Sequence, residues 1–511
     1  MSNQHLPSVQ TMHLSKKGKG FWWNLKKRFL LEKLYSPVGF AVLALLSLFI
    51  AVGIAKFGVV FGVLFLVMVI GLPAVYCVVA YPQFGIITVL IMAYMLFMLM
   101  RIGVSGPIGI VMDVLQFLLM LGLLIQQRKD SNWAVLKGPL STWILIWLAY
   151  NIMQVANPFT EARGAWIYTI RSVAVVMLSY FVFLYNIRSV AFIRLIIKVW
   201  LVMSLFAALY AAKQEYIGFS DVEEAYLHSD PAIASLLFIG GHWRKFSIFS
   251  DPVSFAYNMS MSAIFCIAMI AGKRKLWKKI MLGILTLSFL VSMLYSGTRG
   301  ANVLVPAAMV LFAILNYNRK VLIFTCVAAV FLVILINIPT GDPNLARFQT
   351  AFRPNNDDSY NLRKANQKRI QPFILSHPIG GGLGATGTWG QRFAPNSYLA
   401  NFPPDSGYIR ISVELGWIGL FIFCMLMFTA LKTGINNFYL IKDPELKTYC
   451  LGFTLVIFAY NIANFPQEAL VQYPSNIYFS MDMAMLTVLL RLDRQKQQQA
   501  GIATDEPLLT N

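Results

Sequence analysis

Charge is what this sequence has least of. Asp, Glu, Lys and Arg together make up 13% of its 511 residues, about half the usual share of a soluble domain. That scarcity excludes a solvated globular enzyme. Acidic residues are the rarer sign: 22 Asp and Glu against 42 Lys and Arg leave a net charge of +20. Cysteine is scarce too. Cys77, Cys266, Cys326, Cys424 and Cys450 include no C-x-x-C spacing, and none lies in a long polar loop. They read as small apolar residues, which excludes a disulfide framework and a thiolate metal site. His228, His242 and His377 show no metal-ligand spacing, so no metal and no cofactor is assigned. His377 is read as shaping the turn before Pro378. There is no P-loop, no internal repeat and no soluble catalytic domain. No cleavable signal peptide is evident either. The first 36 residues are polar and basic, and the apolar run that follows is too long for a signal core.

Apolar residues are abundant: they make up 58% of the chain, and the mean hydropathy is +0.64. Runs of about 20 apolar residues recur, and each can cross a bilayer as a helix. The expected fold class is therefore an all-α integral membrane protein with about 14 transmembrane helices. Candidate spans are 37–56, 58–76, 82–100, 106–125, 139–156, 164–186, 190–211, 253–271, 278–296, 301–316, 320–338, 416–432, 448–464 and 475–490. The organisation expected is a cytoplasmic basic N-terminus (1–36), an N-terminal bundle (37–211) and an external loop (212–252). Further transmembrane helices (253–338) follow, then one large external, periplasmic loop containing short helices (339–415). C-terminal helices (416–490) and a cytoplasmic tail (491–511) complete it.

Orientation follows lysine and arginine in short loops. The N-terminal KKGKGFWWNLKKR, Arg128, Lys129 and Lys137, the turn KRKLWKK and the tail RLDRQK all fall on the cytoplasmic side of a fourteen-span chain. Both termini are then cytoplasmic, as expected of a multi-pass inner (plasma) membrane protein. The net charge is accounted for by these turns and by one large loop, so no nucleic acid partner is expected; membrane lipids are. The large loop is itself basic, with Arg347, Arg353, Arg363, Lys364, Lys368, Arg369, Arg392 and Arg410. Either it is merely solvated, or its arginine forks bind phosphate.

SGTRG, residues 296–300, sets Arg299 between two apolar runs. Its glycines permit a tight reversal, and a helix start beside a guanidinium is a natural anion site. The alternative is an arginine reaching into lipid headgroups. Three further segments lie on the same face: RKFSIFSDPVSF (244–255), RKANQKRIQPFILSHPIGGGLG (363–384) and DSGYIRISVELGWIGL (405–420).

Together with SGTRG these segments resemble the O-antigen ligase and polymerase family of polytopic membrane glycosyltransferases. The resemblance rests on Arg244 before Phe249-Ser250-Asp251-Pro252, on Ser296 and Arg299, and on Arg363 ahead of Pro378, Gly380, Gly382 and Gly384. Tyr408, Glu414, Gly416 and Gly419-Leu420 complete it, so that it covers about residues 244–435. It implies a GT-C-like fold and a polyprenyl-diphosphate-linked oligosaccharide as substrate. It also implies partners in a polysaccharide export pathway, and arginines that hold the diphosphate: Arg244, Arg299, Arg363, Arg369, Arg410 and Arg171. Arg299 and Arg363 would act in catalysis. Where ligases of this family carry histidine, this chain has Asp405, ahead of Ser-Gly-Tyr-Ile. Pro395-Asn396-Ser397-Tyr398-Leu399 copies the motif's shape at the wrong spacing. The departure favours an O-antigen or exopolysaccharide polymerase over a ligase transferring glycan to a lipid A core. Asp405 is either a base or the cap of the next helix. A lipid-linked oligosaccharide flippase is the reading from another class, although the paired repeats usual in transporters are absent.

Loop aromatics Trp389, Phe393, Tyr398, Phe402 and Tyr408 either stack on sugar faces or sit at the membrane interface. Asp113, Arg171 and Asp482 lie at about equal depth, roughly 10 Å inside their spans. That depth permits an Arg171–Asp113 or an Arg171–Asp482 pair, or an Arg171 that faces phosphate.

Overall fold

The computed structural model describes residues 36–102, 108–131, 133–239, 241–352 and 358–501. The basic N-terminal segment up to residue 35, Arg353 and the end of the tail lie outside the described residues.

The chain forms two units, residues 1–76 and 77–511. In the first, α1 (Pro37–Phe57) starts on a Ser36 cap, with the Gly39 amide donating to Ser36 Oγ at 3.0 Å. Helix α2 (Val59–Ala80) follows. Gly53 faces the Phe61 ring so closely that a Cβ there would lie 2.0 Å from it.

The second unit begins within α2 and continues with α3 (Pro82–Arg101), α4 (Ile108–Asp130) and α5 (Pro139–Met153). The span expected at 164–186 is broken by a 3-10 turn at Val175–Leu178, which separates α6 (Ala165–Val173) from α7 (Ser179–Asn186). Next come α8 (Val190–Tyr216), short α9 (Asp221–Leu227) and α10 (Pro231–Leu237), and a two-stranded antiparallel ribbon pairing Phe238 with Trp243. Helices α11 (Pro252–Ala271), α12 (Leu276–Tyr295), α13 (Arg299–Leu315) and α14 (Arg319–Asn337) lead into the large insertion. That insertion holds α15 (Pro343–Thr350), α16 (Asp358–Ser376) and α17 (Gly387–Phe393). The chain ends in α18 (Gly407–Leu440), α19 (Pro444–Ala463) and α20 (Ser475–Gln499).

Within the described residues, each of the fourteen expected spans overlaps a helix. Among the described residues, ten helices are long and apolar enough to cross a membrane. Helices α5, at 15 residues, and α13, at 17, are shorter. This is an all-α integral membrane protein. Helices α11 and α19 are buried over most of their surface, whereas α14 has no buried residue.

Many polar atoms inside the bundle are paired, as burial demands. Trp200 Nε1 donates to Tyr94 Oη at 3.0 Å, Tyr94 Oη meets Ser204 Oγ at 2.9 Å, and Ser204 meets Ser262 at 2.8 Å. That chain ties α3, α8 and α11 together. Asn437 Nδ2 donates to the Leu486 carbonyl at 2.8 Å and joins α18 to α20. Asp482 is an exception, as are Asn151 Oδ1, Thr169 Oγ1 and the Tyr257 hydroxyl: it is fully buried, and neither carboxylate oxygen has a hydrogen-bond partner among the described residues.

Candidate functional site

The SGTRG turn joins α12 to α13. Gly297 sits at φ +58°, and the Ser296 hydroxyl donates to the Met293 carbonyl at 2.7 Å. Two arginines from distant segments close on the turn carbonyls. Arg244 donates Nε to the Ser296 carbonyl at 2.9 Å and Nη2 to Thr298 Oγ1 at 3.1 Å. Arg347, from α15, donates Nε to the Gly297 carbonyl at 2.5 Å. Its side chain fills the space beside Gly297, where a Cβ would lie 2.9 Å from Arg347 Cδ. Thr298 Oγ1 in turn donates to the Pro252 carbonyl at 3.2 Å, so the turn is also bound to the start of α11. Asp251 caps that helix, accepting from the Val253 and Ser254 amides at 2.8 and 2.9 Å. Burial lowers the pKa of Arg244 to about 10; Arg347 and Arg299 push the same way and Asp251 opposes them. The group stays protonated at neutral pH, held among like charges.

Arg299 opens α13, and Thr298 at its N-cap makes no side-chain cap bond. Among the first-turn amides, that of Ala301 turns back to the Thr298 carbonyl at 3.2 Å. Next to them, the Tyr257 hydroxyl is buried without a hydrogen-bond partner. It lies 3.1 Å from where a Cβ on Gly300 would stand, as does Pro466 Cγ. Arg363, half-buried on α16, acts electrostatically on Tyr257 and makes no hydrogen bond or ion pair among the described residues. Arg244, Arg299, Arg347 and Arg363 thus come together at one end of the bundle, around Asp251 and an unsatisfied hydroxyl.

Arg410 does something else. Its Nε donates to Glu414 Oε1 at 3.1 Å and its Nη1 to Glu468 Oε2. It was expected to hold diphosphate, but two carboxylates already occupy its fork. Glu414 is spoken for as well: it accepts the Gly384 amide at 2.9 Å, the Thr386 amide at 3.3 Å and the Thr386 hydroxyl at 2.5 Å. The Gly381 and Gly382 amides donate to the Val413 and Glu414 carbonyls, each at 2.9 Å. Such close backbone contact needs glycine. Gly416 breaks α18 at φ +69°, and a Cβ there would lie 2.0 Å from the Pro378 carbonyl oxygen. Tyr150 donates to the Leu415 carbonyl at 2.7 Å, and Gln154 and Asn157 bind the Ile379 carbonyl, each at 3.1 Å. The Pro378–Gly384 run and the Glu414-x-Gly416 pair are therefore two halves of one clasp. We expect Gly416→Ala to lower the unfolding temperature of detergent-solubilised protein by several degrees, because the clash is with backbone. An unchanged melting curve would count against the clasp.

Glu468 lies in the connection between α19 and α20. Burial lifts its pKa above the ordinary glutamate range; Arg410 opposes this, and Glu414 and Asp405 add to it. Asp405 therefore belongs to the same group. Its carboxylate makes no hydrogen bond among the described residues, and the N-cap position of α18 falls to Ser406. The capping alternative for Asp405 is not realised.

The other expected arginines go elsewhere. Arg171 pairs with Asp113 at 2.6 Å, with side chains 44% and 34% exposed, and not with Asp482. Arg369 stands 5.8 Å from the centre of the Phe402 ring. Sequence reasoning missed Tyr257 and Glu468, and noted Arg347 only as part of a basic loop. The available signal was the connection NFPQEALVQYP, residues 464–474, which is polar between two buried helices. It touches Gly300 through Pro466, Arg410 through Glu468 and Ser250 through Gln472.

The family described as O-antigen ligase matches residues 284–424. The match encloses Arg299, Arg347, Arg363, Asp405, Arg410 and the clasp; Arg244, Tyr257 and Glu468 lie outside it. No curated protein matches the chain.

Proposed function

We propose, starting from the O-antigen ligase family domain at residues 284–424 that marks a ligase- or polymerase-type membrane glycosyltransferase, that this protein joins polyprenyl-diphosphate-linked oligosaccharide units into a longer glycan. The reaction takes place at the external face of the inner membrane. The observation that carries this reading is the convergence of Arg244, Arg299, Arg347 and Arg363 beside an orphaned buried hydroxyl. A buried donor without a partner is disfavoured unless a ligand supplies the acceptor. A diphosphate supplies several.

In the proposed reaction an acceptor hydroxyl oxygen attacks the anomeric carbon of the donor. The bond from that carbon to the diphosphate oxygen breaks, and its electron pair leaves with the polyprenyl diphosphate. Arg299, Arg363 and the Tyr257 hydroxyl stabilise the charge that builds on this leaving group. Arg244 and Arg347 fix the turn that presents Arg299. The acceptor proton passes to Asp405, whose carboxylate is unencumbered. Arg410 positions Glu414 and Glu468 and leaves the diphosphate to the other arginines.

Reconstitution with a lipid-diphosphate oligosaccharide tests the reading. Lengthening of the glycan on its lipid supports a polymerase, transfer to a lipid A core indicates a ligase, and translocation without new bonds sinks the enzyme reading. Asp405→Asn is expected to reduce turnover about 100-fold, the size of a lost general base, with Asp405→Glu recovering part of it. Turnover at saturating donor checks this; wild-type turnover in Asp405→Asn removes the base assignment.

A further inference from the structure

Beside the clasp, three rings from two segments form a partly open aromatic surface. Tyr168 of α6 stacks on Trp389 of α17, with centroids 4.3 Å apart and planes 19° from parallel. Phe393, one turn further along α17, lies 5.5 Å from Tyr168 and 6.5 Å from Trp389. The guanidinium of Arg392 stands 5.7 to 5.8 Å from all three ring centres. Gly164 makes the arrangement possible, since a Cβ there would lie 2.6 Å from the Phe393 ring.

A cluster formed only for packing would be closed over. This one is not: Phe393 is 38% exposed, Tyr168 and Trp389 are half-buried, and Arg392 is exposed. Its rim is polar, with Glu161, Arg163, Gln391 and Asn396 exposed along the same two segments. Flat ring faces beside a charged fork suit one ligand chemistry above others. A pyranose offers an apolar C–H face to the rings and a girdle of hydroxyls to the guanidinium. A lipid tail has no use for the fork, and a free phosphate has none for the rings.

The surface is also connected to the arginine cluster by a continuous set of contacts. Thr169, next to Tyr168, fills the space beside Gly384, and the Gly384 amide is held by Glu414. Glu414 pairs with Arg410, Arg410 with Glu468, and Pro466 of the same connection packs on Gly300, adjacent to Arg299.

We infer that Tyr168, Trp389, Phe393 and Arg392 form a saccharide subsite that grips a pyranose unit of the glycan away from the reacting bond. The assignment rests on the glycosyltransferase reading above. It predicts that the subsite recognises sugar without diphosphate.

The probe is therefore the glycan released by mild acid from the producing cell's lipid-linked oligosaccharide, titrated onto full-length protein in nanodiscs. Trp389→Ala is expected to weaken binding of the released glycan about tenfold. It should raise KM for the acceptor glycan more than it lowers kcat, and Trp389→Phe should restore most of the binding. Arg299→Ala should bind the released glycan like wild type, which separates this subsite from the diphosphate site. Unchanged glycan binding in both Trp389→Ala and Tyr168→Ala overturns the inference. So does a loss confined to thermal stability in lipid, which would make the rings an interfacial anchor. Wild-type protein that consumes lipid-linked donor but binds no released glycan also overturns the subsite, and leaves the glycosyltransferase reading standing.

Discussion

Alanine in place of Arg299 or Arg363 is expected to cut glycan synthesis at least about 100-fold, the size of effect seen when a charge-stabilising donor is removed from a reaction centre. The two arginines come from different helices. Arg299 opens α13 at a turn pinned by Arg244 and Arg347, and Arg363, on α16, acts electrostatically on Tyr257. Neither side chain lies in the buried bundle, so both variants should insert and melt like wild type. Lysine should rescue poorly, because a single ammonium cannot offer the planar fork that matches two phosphate oxygens. The measurement is product formed from a lipid-diphosphate oligosaccharide in proteoliposomes, alongside a melting curve. Wild-type synthesis in both alanine variants would remove the diphosphate assignment.

The second large effect is on stability. Glu414→Ala deletes the acceptor for two backbone amides and the Thr386 hydroxyl, and leaves Arg410 with Glu468 as its remaining ion-pair partner among the described residues. The Glu414 and Arg410 side chains are 3% and 15% exposed, so water replaces little of what is lost. Breaking such a buried pair from one side is destabilising by about 3–5 kcal/mol. Glu414→Gln keeps an acceptor for one amide and should fall between alanine and wild type. Thermal unfolding of the purified protein in detergent reads this directly. A Glu414→Ala protein that melts with the wild type would show that the loop is held by something other than this carboxylate.

The difference between those two outcomes, lost turnover at one cluster and lost stability at the other, was only half visible in the sequence. SGTRG was legible because glycine, hydroxyl and arginine between apolar runs leave few structural options. The spans were legible because hydrophobic length is a local property. Their edges were not always so. The span after the large insertion was expected to begin at residue 416, but α18 begins at Gly407, and Gly416 is a break within it. Residues 407–415 form its first two turns, too polar to read as span because they carry Arg410 and Glu414. Arginines can be counted in a loop, but which carboxylates they meet cannot. Arg410 finds Glu468 58 residues downstream, and Arg347 finds a carbonyl 50 residues upstream. Such pairings are set by how helices stack, and periodicity carries no trace of that. Tyr257 was hidden for a related reason: in an apolar helix a tyrosine reads as core until its hydroxyl is found without a partner.

The clasp also limits which parts of the large insertion can swing. Residues 378–386 are knotted to α18 on one side, and Tyr150, Gln154 and Asn157 reach the same joint from the other. That half of the insertion behaves as a fixed jaw. Helix α16 belongs to the same jaw, since Ile370 is buried with Ala385, Leu399, Phe402 and Val413, so a bulky substrate meets a preformed wall there.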